Sequence, residues 1–273
     1  MKIISDPQEL KNYLKMQEKT IGFVPTMGAL HEGHISLIKS ARAQNELVVV
    51  SIFVNPTQFL KGEDLESYPS KDEADKKICK LANVDVLFLP TKESIYTQDE
   101  VTLLAPKLRG FVLEGATRPG HFNGVLTVVM KLFHLVNPTK AYFGKKDAQQ
   151  LNLIILMVKQ LFMSVEIVPV ETVRDSDGLA KSSRNAYLSK EERIEALKIS
   201  KSLHEASKLV SRGILDREEI RASMLKILEP LEVAYVEILN RDFEIVENVQ
   251  LTKSIILVEA IVGKTRLLDN IWL

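Results

Sequence analysis

Residues 25–34 read PTMGALHEGH and follow a short apolar run at 21–24. A strand, a turn through Gly28, two histidines three apart and an amphipathic run at 35–43 spell strand, loop, helix. Amides at a helix N-terminus attract anions. The imidazoles of His31 and His34 add donors that can follow charge as it builds on a phosphate. Glycines at 28 and 33 let a phosphate approach the backbone. The same histidines do not read as zinc ligands. His-Glu-Gly-His lacks the i, i+4 spacing that puts two ligands on one helix face, and no Cys or His cluster elsewhere completes a tetrahedron.

Three further strings carry chemistry. SIFVNPTQF, residues 51–59, is a strand and a turn presenting Asn55 and Gln58, amides suited to a small ligand with hydroxyl and carboxylate groups. FGKKDAQQL, residues 143–151, sits between a strand and a helix. There Gly144 permits close approach, Lys145 and Lys146 supply positive charge, Asp147 can cap the helix or hold a ribose hydroxyl, and Gln150 lies one turn on. Lys181, Ser182, Ser183 and Arg184 group phosphate-contacting side chains on a Gly- and Ser-rich loop that could close. In RPGHFNGV, residues 118–125, chemistry leaves loop positioning and ligand contact equally open for Arg118, His121 and Asn123. Gly263-Lys264-Thr265 imitates the end of a P-loop, but Val258 stands where its first glycine belongs and a strand-like segment follows.

The elements that must position these groups alternate over the first two-thirds of the chain. Strands are expected at 21–24, 47–54, 84–89, 140–143 and 165–168, and helices at 35–43, 71–82, 124–136 and 148–161. That alternation predicts an α/β fold with a Rossmann-like parallel sheet wound with helices on both sides, whose ligands bind beyond the carboxyl ends of the strands. The last third predicts helices at 189–212 and 216–228, then strands at 231–239, 254–262 and 265–273 joined by antiparallel turns. Two domains follow, 1–174 for nucleotide and a second ligand and 175–273 as a smaller α/β domain with an antiparallel sheet.

Composition narrows the partners. Of 273 residues, 45% are hydrophobic and 26% charged, ordinary for a folded soluble chain. Thirty-six basic residues balance thirty-six acidic ones, so the basic excess that a nonspecific grip on nucleic acid needs is absent. Cys79 is the single cysteine, which suits a reducing cytoplasm. The first fifteen residues carry charges where a signal peptide needs an apolar core, and the longest apolar stretches are too short for a bilayer.

Taken together, PTMGALHEGH, SIFVNPTQF, RPGHFNGV, FGKKDAQQL and KSSRNAYLS resemble the pantothenate synthetase (pantoate–β-alanine ligase) family, in its order and spacing over essentially the whole chain. The family belongs to the nucleotidyltransferase superfamily, whose HxGH-type histidines serve adenylyl transfer. The resemblance implies a Rossmann-like domain, a C-terminal lid and a homodimer. It also implies a two-step reaction with ATP and Mg²⁺: pantoate forms pantoyl adenylate and diphosphate, and β-alanine then displaces AMP to give pantothenate.

Residue by residue, the resemblance places ATP on Met27, Gly28, Ala29, Leu30, His31, Glu32, Gly33 and His34, with His34 as proton donor and His31 beside it. Gly144, Lys145, Lys146 and Asp147 would hold the adenosine part, Lys146 also reaching phosphate, and Val173 would touch the base. Lys181, Ser182, Ser183 and Arg184 would close over the phosphates, so His34, His31, Lys146 and Arg184 form the implied catalytic set. Gln58 and Gln150 would bind pantoate, Gln58 also β-alanine, with Asn55, Val128 and Val129 nearby. Many relatives carry Glu at Lys145 and Met at Lys181, so this chain adds positive charge near the phosphates. Protein ligands to the metal are not identified by the motifs; Asp64, Asp72 and Asp75 are the available carboxylates. Two alternatives share parts of the pattern: a different nucleotidyltransferase, and a nucleotide-binding sensor without catalysis.

Overall fold

A computed structural model describes residues 1–273. Its elements run β1 (Lys2–Ile4), α1 (Pro7–Lys15), β2 (Ile21–Thr26), α2 (Glu32–Gln44), β3 (Leu47–Ile52), α3 (Asp72–Leu81), β4 (Val86–Phe88), α4 (Lys92–Ile95), α5 (Glu114–Thr117), α6 (His121–Val136), β5 (Lys140–Gly144), α7 (Ala148–Gln160) and β6 (Glu166–Val170). Then come α8 (Lys190–Ser211), α9 (Arg217–Leu228), β7 (Glu232–Asn240), β8 (Ser254–Val262) and β9 (Thr265–Trp272). The chain divides into two compact units, one of residues 1–144 and 153–171, the other of residues 145–152 and 172–273.

In the first unit six strands form a parallel sheet in the order β1-β4-β3-β2-β5-β6. Strands β2 and β3 are buried along nearly their whole length, because helices cover a parallel sheet on both faces. Their Val24, Val48 and Val50 pack with Leu37, Ile38 and Ala41 of α2. The order reverses between β2 and β5, the switch point beyond whose carboxyl end ligands bind in such sheets. PTMGALHEGH leaves the end of β2, and β5 ends at Gly144.

The second unit packs α8 and α9 on the antiparallel sheet β7-β8-β9 around Ile199, Leu203, Ile220, Met224, Val236 and Val258. Gly263 and Lys264 are the two-residue turn between β8 and β9, with Gly263 at φ +60°, so the P-loop look-alike is a hairpin turn. No helix in the chain is long and apolar enough to cross a membrane.

Candidate active site

Helix α2 starts at Glu32, so the HEGH string forms its first turn instead of preceding it. His31 is the N-cap, and its Nδ1 accepts from Gly33 N at 3.1 Å. His34 Nδ1 in turn accepts from His31 N at 3.3 Å. The two rings lie 4.1 Å apart, centroid to centroid. A nitrogen that accepts from an amide carries no proton, so both imidazoles are held with their proton on Nε2. Backbone capping thus fixes the tautomer of each.

The loop before them is bound from beneath. Asp75 of α3 is 1% exposed; its Oδ2 accepts from Ala29 N and its Oδ1 from Leu30 N, both at 2.8 Å. Gly28 and Ala29 both have positive φ, +88° and +49°. A carboxylate gripping consecutive amides holds a backbone that Ala29 alone would not favour. Burial pushes the Asp75 carboxyl above its usual range, against the pull of those two amides. Gly28 N donates to Thr26 Oγ1. The amides of residues 28 to 31 and 33 are therefore engaged within the chain, unlike the exposed amides expected of a helix start.

Gln58 stands at the end of a 3-10 turn, Pro56–Gln58, capped by Asn55. Its Oε1 accepts from Asn55 Nδ2 at 3.0 Å, and its Nε2 lies 3.0 Å from Met27 Sδ, which joins this turn to PTMGALHEGH. Asn55 is 1% exposed and spends its amide inside the protein, donating also to Gly124 O and accepting from Tyr96 Oη and Thr57 Oγ1. It orients Gln58 rather than presenting itself. Val128 and Val129 are buried in α6.

RPGHFNGV holds that same turn from the other side. Arg118 Nη2 and His121 Nδ1 both donate to Gln58 O, at 3.2 and 2.7 Å. Arg118 Nη1 donates to His121 Nε2 at 3.0 Å, which leaves the His121 proton on Nδ1. Glu63 fastens the guanidinium with two bonds of 2.7 Å. Burial pushes the Glu63 carboxyl up, but the Arg118 bonds, the Leu60 amide and nearby positive charge prevail and bring it down to about 2. A Cβ on Gly124 would fall 2.3 Å from Thr57 O, so only glycine lets α6 approach so closely. Of the two roles left open for this string, Arg118 and His121 perform positioning.

In the second unit Lys146 Nζ pairs with Asp147 Oδ1 at 3.1 Å, and Asp147 O accepts from Leu151 N at the start of α7. Gln150 is half-buried on the first turn of α7. Val173 O accepts from Lys181 N, closing a turn on the segment that carries Lys181, Ser182, Ser183 and Arg184. Ser182 Oγ accepts from Arg184 N at the start of a 3-10 turn, Ser183–Tyr187. Lys181 Nζ lies 2.5 Å from Asp175 Oδ1, and that bond, with Arg193, holds the Asp175 carboxyl below its usual range. The added charge at Lys181 is thereby offset locally.

Among the carboxylates available for a metal, Asp75 is committed to Ala29 and Leu30, and Asp72 accepts from Ser70 Oγ. No three His, Cys, Asp or Glu side chains cluster as a metal site. Sequence reasoning missed Asp75, Glu63 and Arg174 as supports. Only the first had a signal, a lone acid on the buried face of α3.

The family model for pantoate-beta-alanine ligase matches residues 2–272. The chain is 68% identical to pantothenate synthetase of Sulfurimonas denitrificans and 57% identical to that of Wolinella succinogenes, over 100% of each chain. A crystal structure of pantothenate synthetase from Thermus thermophilus is similar with a TM-score of 0.95 at 38% identity, covering 100% of this chain and 99% of that one. A crystal structure of pantoate-beta-alanine ligase from Francisella tularensis, complexed with beta-gamma ATP and beta-alanine, is similar with a TM-score of 0.84 at 35% identity, covering 100% and 97%. Five motifs in order, a switch-point sheet and full-length similarity agree: the chain belongs to the pantoate–β-alanine ligase family.

Proposed function

We propose that the chain is an AMP-forming carbon–nitrogen ligase that condenses pantoate with β-alanine at the expense of ATP, through pantoyl adenylate. The observation that carries this reading is the pair of imidazoles fixed as Nε2–H donors beyond the end of β2, with Gln58 tied to the same loop through Met27. In the first step a pantoate carboxylate oxygen bonds to the α-phosphorus, the bond from that phosphorus to the bridging oxygen breaks, and diphosphate leaves. In the second the β-alanine nitrogen bonds to the acyl carbon, the acyl–oxygen bond to AMP breaks, and the nitrogen sheds a proton.

Carboxylate and triphosphate repel each other, so the site must neutralise charge and fix an in-line approach. His31 and His34 donate from Nε2 to phosphate oxygens as charge moves to the leaving diphosphate; being neutral, they act as electrostatic stabilisers more than as acids. Lys146 and Arg184 supply cationic charge. Met27 to His34, Gly144 to Asp147, Val173 and the segment from Lys181 to Arg184 bind ATP, and Gln58 and Gln150 bind pantoate. With Oε1 held by Asn55, Gln58 turns its NH₂ group to the carboxylates of pantoate and β-alanine. Mg²⁺ enters with ATP as part of the substrate, held by phosphate oxygens and water rather than by a protein cage.

The reading extends to organisation. Residues 1–174 act as the nucleotide and pantoate domain and 175–273 as a lid that excludes water from the anhydride. The active form is a homodimer, supported by the exposed apolar side chains of Val101, Leu104, Leu108 and Phe111, which a second copy would cover. The buried free thiol of Cys79, the single cysteine, fits a cytoplasmic protein, and thirty-six basic against thirty-six acidic residues fit one without nucleic-acid partners. ATP–diphosphate exchange that depends on pantoate, followed by pantothenate and AMP formation on adding β-alanine, is the expected result. Exchange without pantoate would favour another nucleotidyltransferase, and no exchange a sensor.

A further inference from the structure

Strand β9 touches both nucleotide-binding segments of the second unit through three residues, Asp269, Asn270 and Trp272. Asn270 is 3% exposed, and its Nδ2 donates to Lys145 O at 3.0 Å and to Lys146 O at 2.6 Å. Its Oδ1 is buried with no partner, so the two carbonyls alone set the orientation of this amide. Turned over, it would press an oxygen against both. Trp272 Nε1 donates to Lys145 O at 3.3 Å. The Trp272 ring carries Arg241 at 4.4 Å and the Lys145 ammonium at 5.5 Å. Asp269, also 3% exposed, holds the Arg174 guanidinium with bonds of 2.5 and 2.9 Å. Arg174 donates in addition to Asn270 O and Gly178 O, inside the turn that Val173 and Lys181 close.

The geometry has a directional consequence. Within a planar trans peptide the N–H points opposite to the C=O. Drawing the carbonyls of Lys145 and Lys146 onto one amide therefore turns the N–H groups of Lys146 and Asp147 together toward the opposite face. Successive amides aligned in this way make an anion-binding concavity. We infer that Asn270 and Trp272 are positioning residues for the nucleotide, with Asp269 doing the same for the 173–184 segment through Arg174. The inference rests on the reading that residues 144–147 hold ATP. It also gives Lys145 a role in this chain, as a cation over Trp272.

Trp272 is the only tryptophan of the chain, so its emission reports on this turn. The test titrates the full-length protein with MgATP in the absence of pantoate, following tryptophan fluorescence and, independently, the heat of binding. Matching saturation of both signals is expected. Asn270→Ala removes two hydrogen bonds to the loop and is expected to raise KM for ATP about tenfold, leaving KM for β-alanine within about twofold. Asn270→Asp, which sets a carboxylate against two carbonyls, is expected to be worse, and Trp272→Phe, which keeps an aromatic ring and loses the N–H, milder. Binding heat without an emission change, or a folded Asn270→Ala with an unaltered KM for ATP, overturns the inference. Absence of binding heat overturns the ATP reading itself and the inference with it. Should Asn270→Ala not fold, the wild-type titration and Trp272→Phe still decide.

Discussion

Replacing Asp75 by Asn separates the geometry of the loop before α2, the phosphate loop of the proposed reaction, from the stability of the protein. The wild-type carboxylate accepts two amide bonds of 2.8 Å from Ala29 and Leu30. Such charge-assisted bonds contribute about 1.5–3 kcal/mol each. An asparagine keeps one acceptor, now neutral, and turns an NH₂ group on the other amide, leaving a buried N–H unpaired. The loop loses roughly 2–3 kcal/mol of support from those changes, and the left-handed Ala29 becomes its weakest point. At 1.36 kcal/mol per factor of ten, the competent loop is depleted roughly 30- to 150-fold. The whole molecule loses less, because the carboxylate is itself penalised by burial and the neutral amide is relieved of that cost. The expected outcome is a fall of that order in kcat for pantoate-dependent ATP–diphosphate exchange, with a drop in Tm of a few degrees. The pH dependence has a definite sign. With its folded pKa above the ordinary 3.8, the native state binds the extra proton, so this group favours folding toward acid and loses that contribution as pH rises through its folded value. The variant should lack that slope. Exchange within threefold of wild type, or a deficit that vanishes once activity is scaled to the folded fraction, refutes the loop-holding role.

Three other changes probe the remaining parts. His34→Gln is expected to slow adenylation by about 10²–10³; a rate within about tenfold of wild type in the exchange assay would count against His34 as donor. Glu63, brought from 4.5 to about 2, supports the fold above pH 4.5, and that support, about 3 kcal/mol, is lost as pH falls from 4.5 to 2. Chemical denaturation at stepped pH should show it, and Glu63→Gln should flatten that limb. Gly124→Ala forces its methyl to 2.3 Å from Thr57 O and 2.7 Å from Gln58 N, both backbone atoms. About 1–3 kcal/mol of destabilisation and a raised KM for pantoate are expected, read by calorimetry and steady-state kinetics.

The strands around the switch point were legible because both their faces are covered, which writes them as unbroken apolar runs such as LVVVSI. The antiparallel sheet was equally plain, its segments separated by short turns. Less legible were β1 and α1 at the N-terminus: three strand residues give no periodicity, and α1 buries only Leu10 and Leu14. Helix α2 starts at Glu32, ahead of the expected 35, because His31 caps it through a ring nitrogen, outside the usual Ser, Thr, Asp and Asn. The candidate site strings stood out as clusters of polar residues at strand ends. Their supports did not, since Asp75, Glu63 and Asp269 bond to Leu30, Arg118 and Arg174 across 45, 55 and 95 residues of sequence.

Protonation links these supports to the chemistry. His31 and His34 accept backbone amides at Nδ1, which fixes the proton on Nε2, whereas His121 accepts Arg118 at Nε2 and keeps its proton on Nδ1 for Gln58 O. The same side chain thus keeps its proton on Nε2 at two positions, the donors of the proposed reaction, and on Nδ1 as a backbone clamp at a third, with the choice made by which nitrogen meets an N–H. A doubly protonated ring would set an N–H against another N–H at each of the three places. The capping bonds thus favour a single proton on each ring, and in the proposed reaction the cationic charge facing the triphosphate is assigned to Lys146 and Arg184. A lysine in place of His34 would add charge but lose the ring nitrogen that caps His31. It would leave the His31 amide without its acceptor, so added charge does not restore the geometry on which the proposed reaction depends.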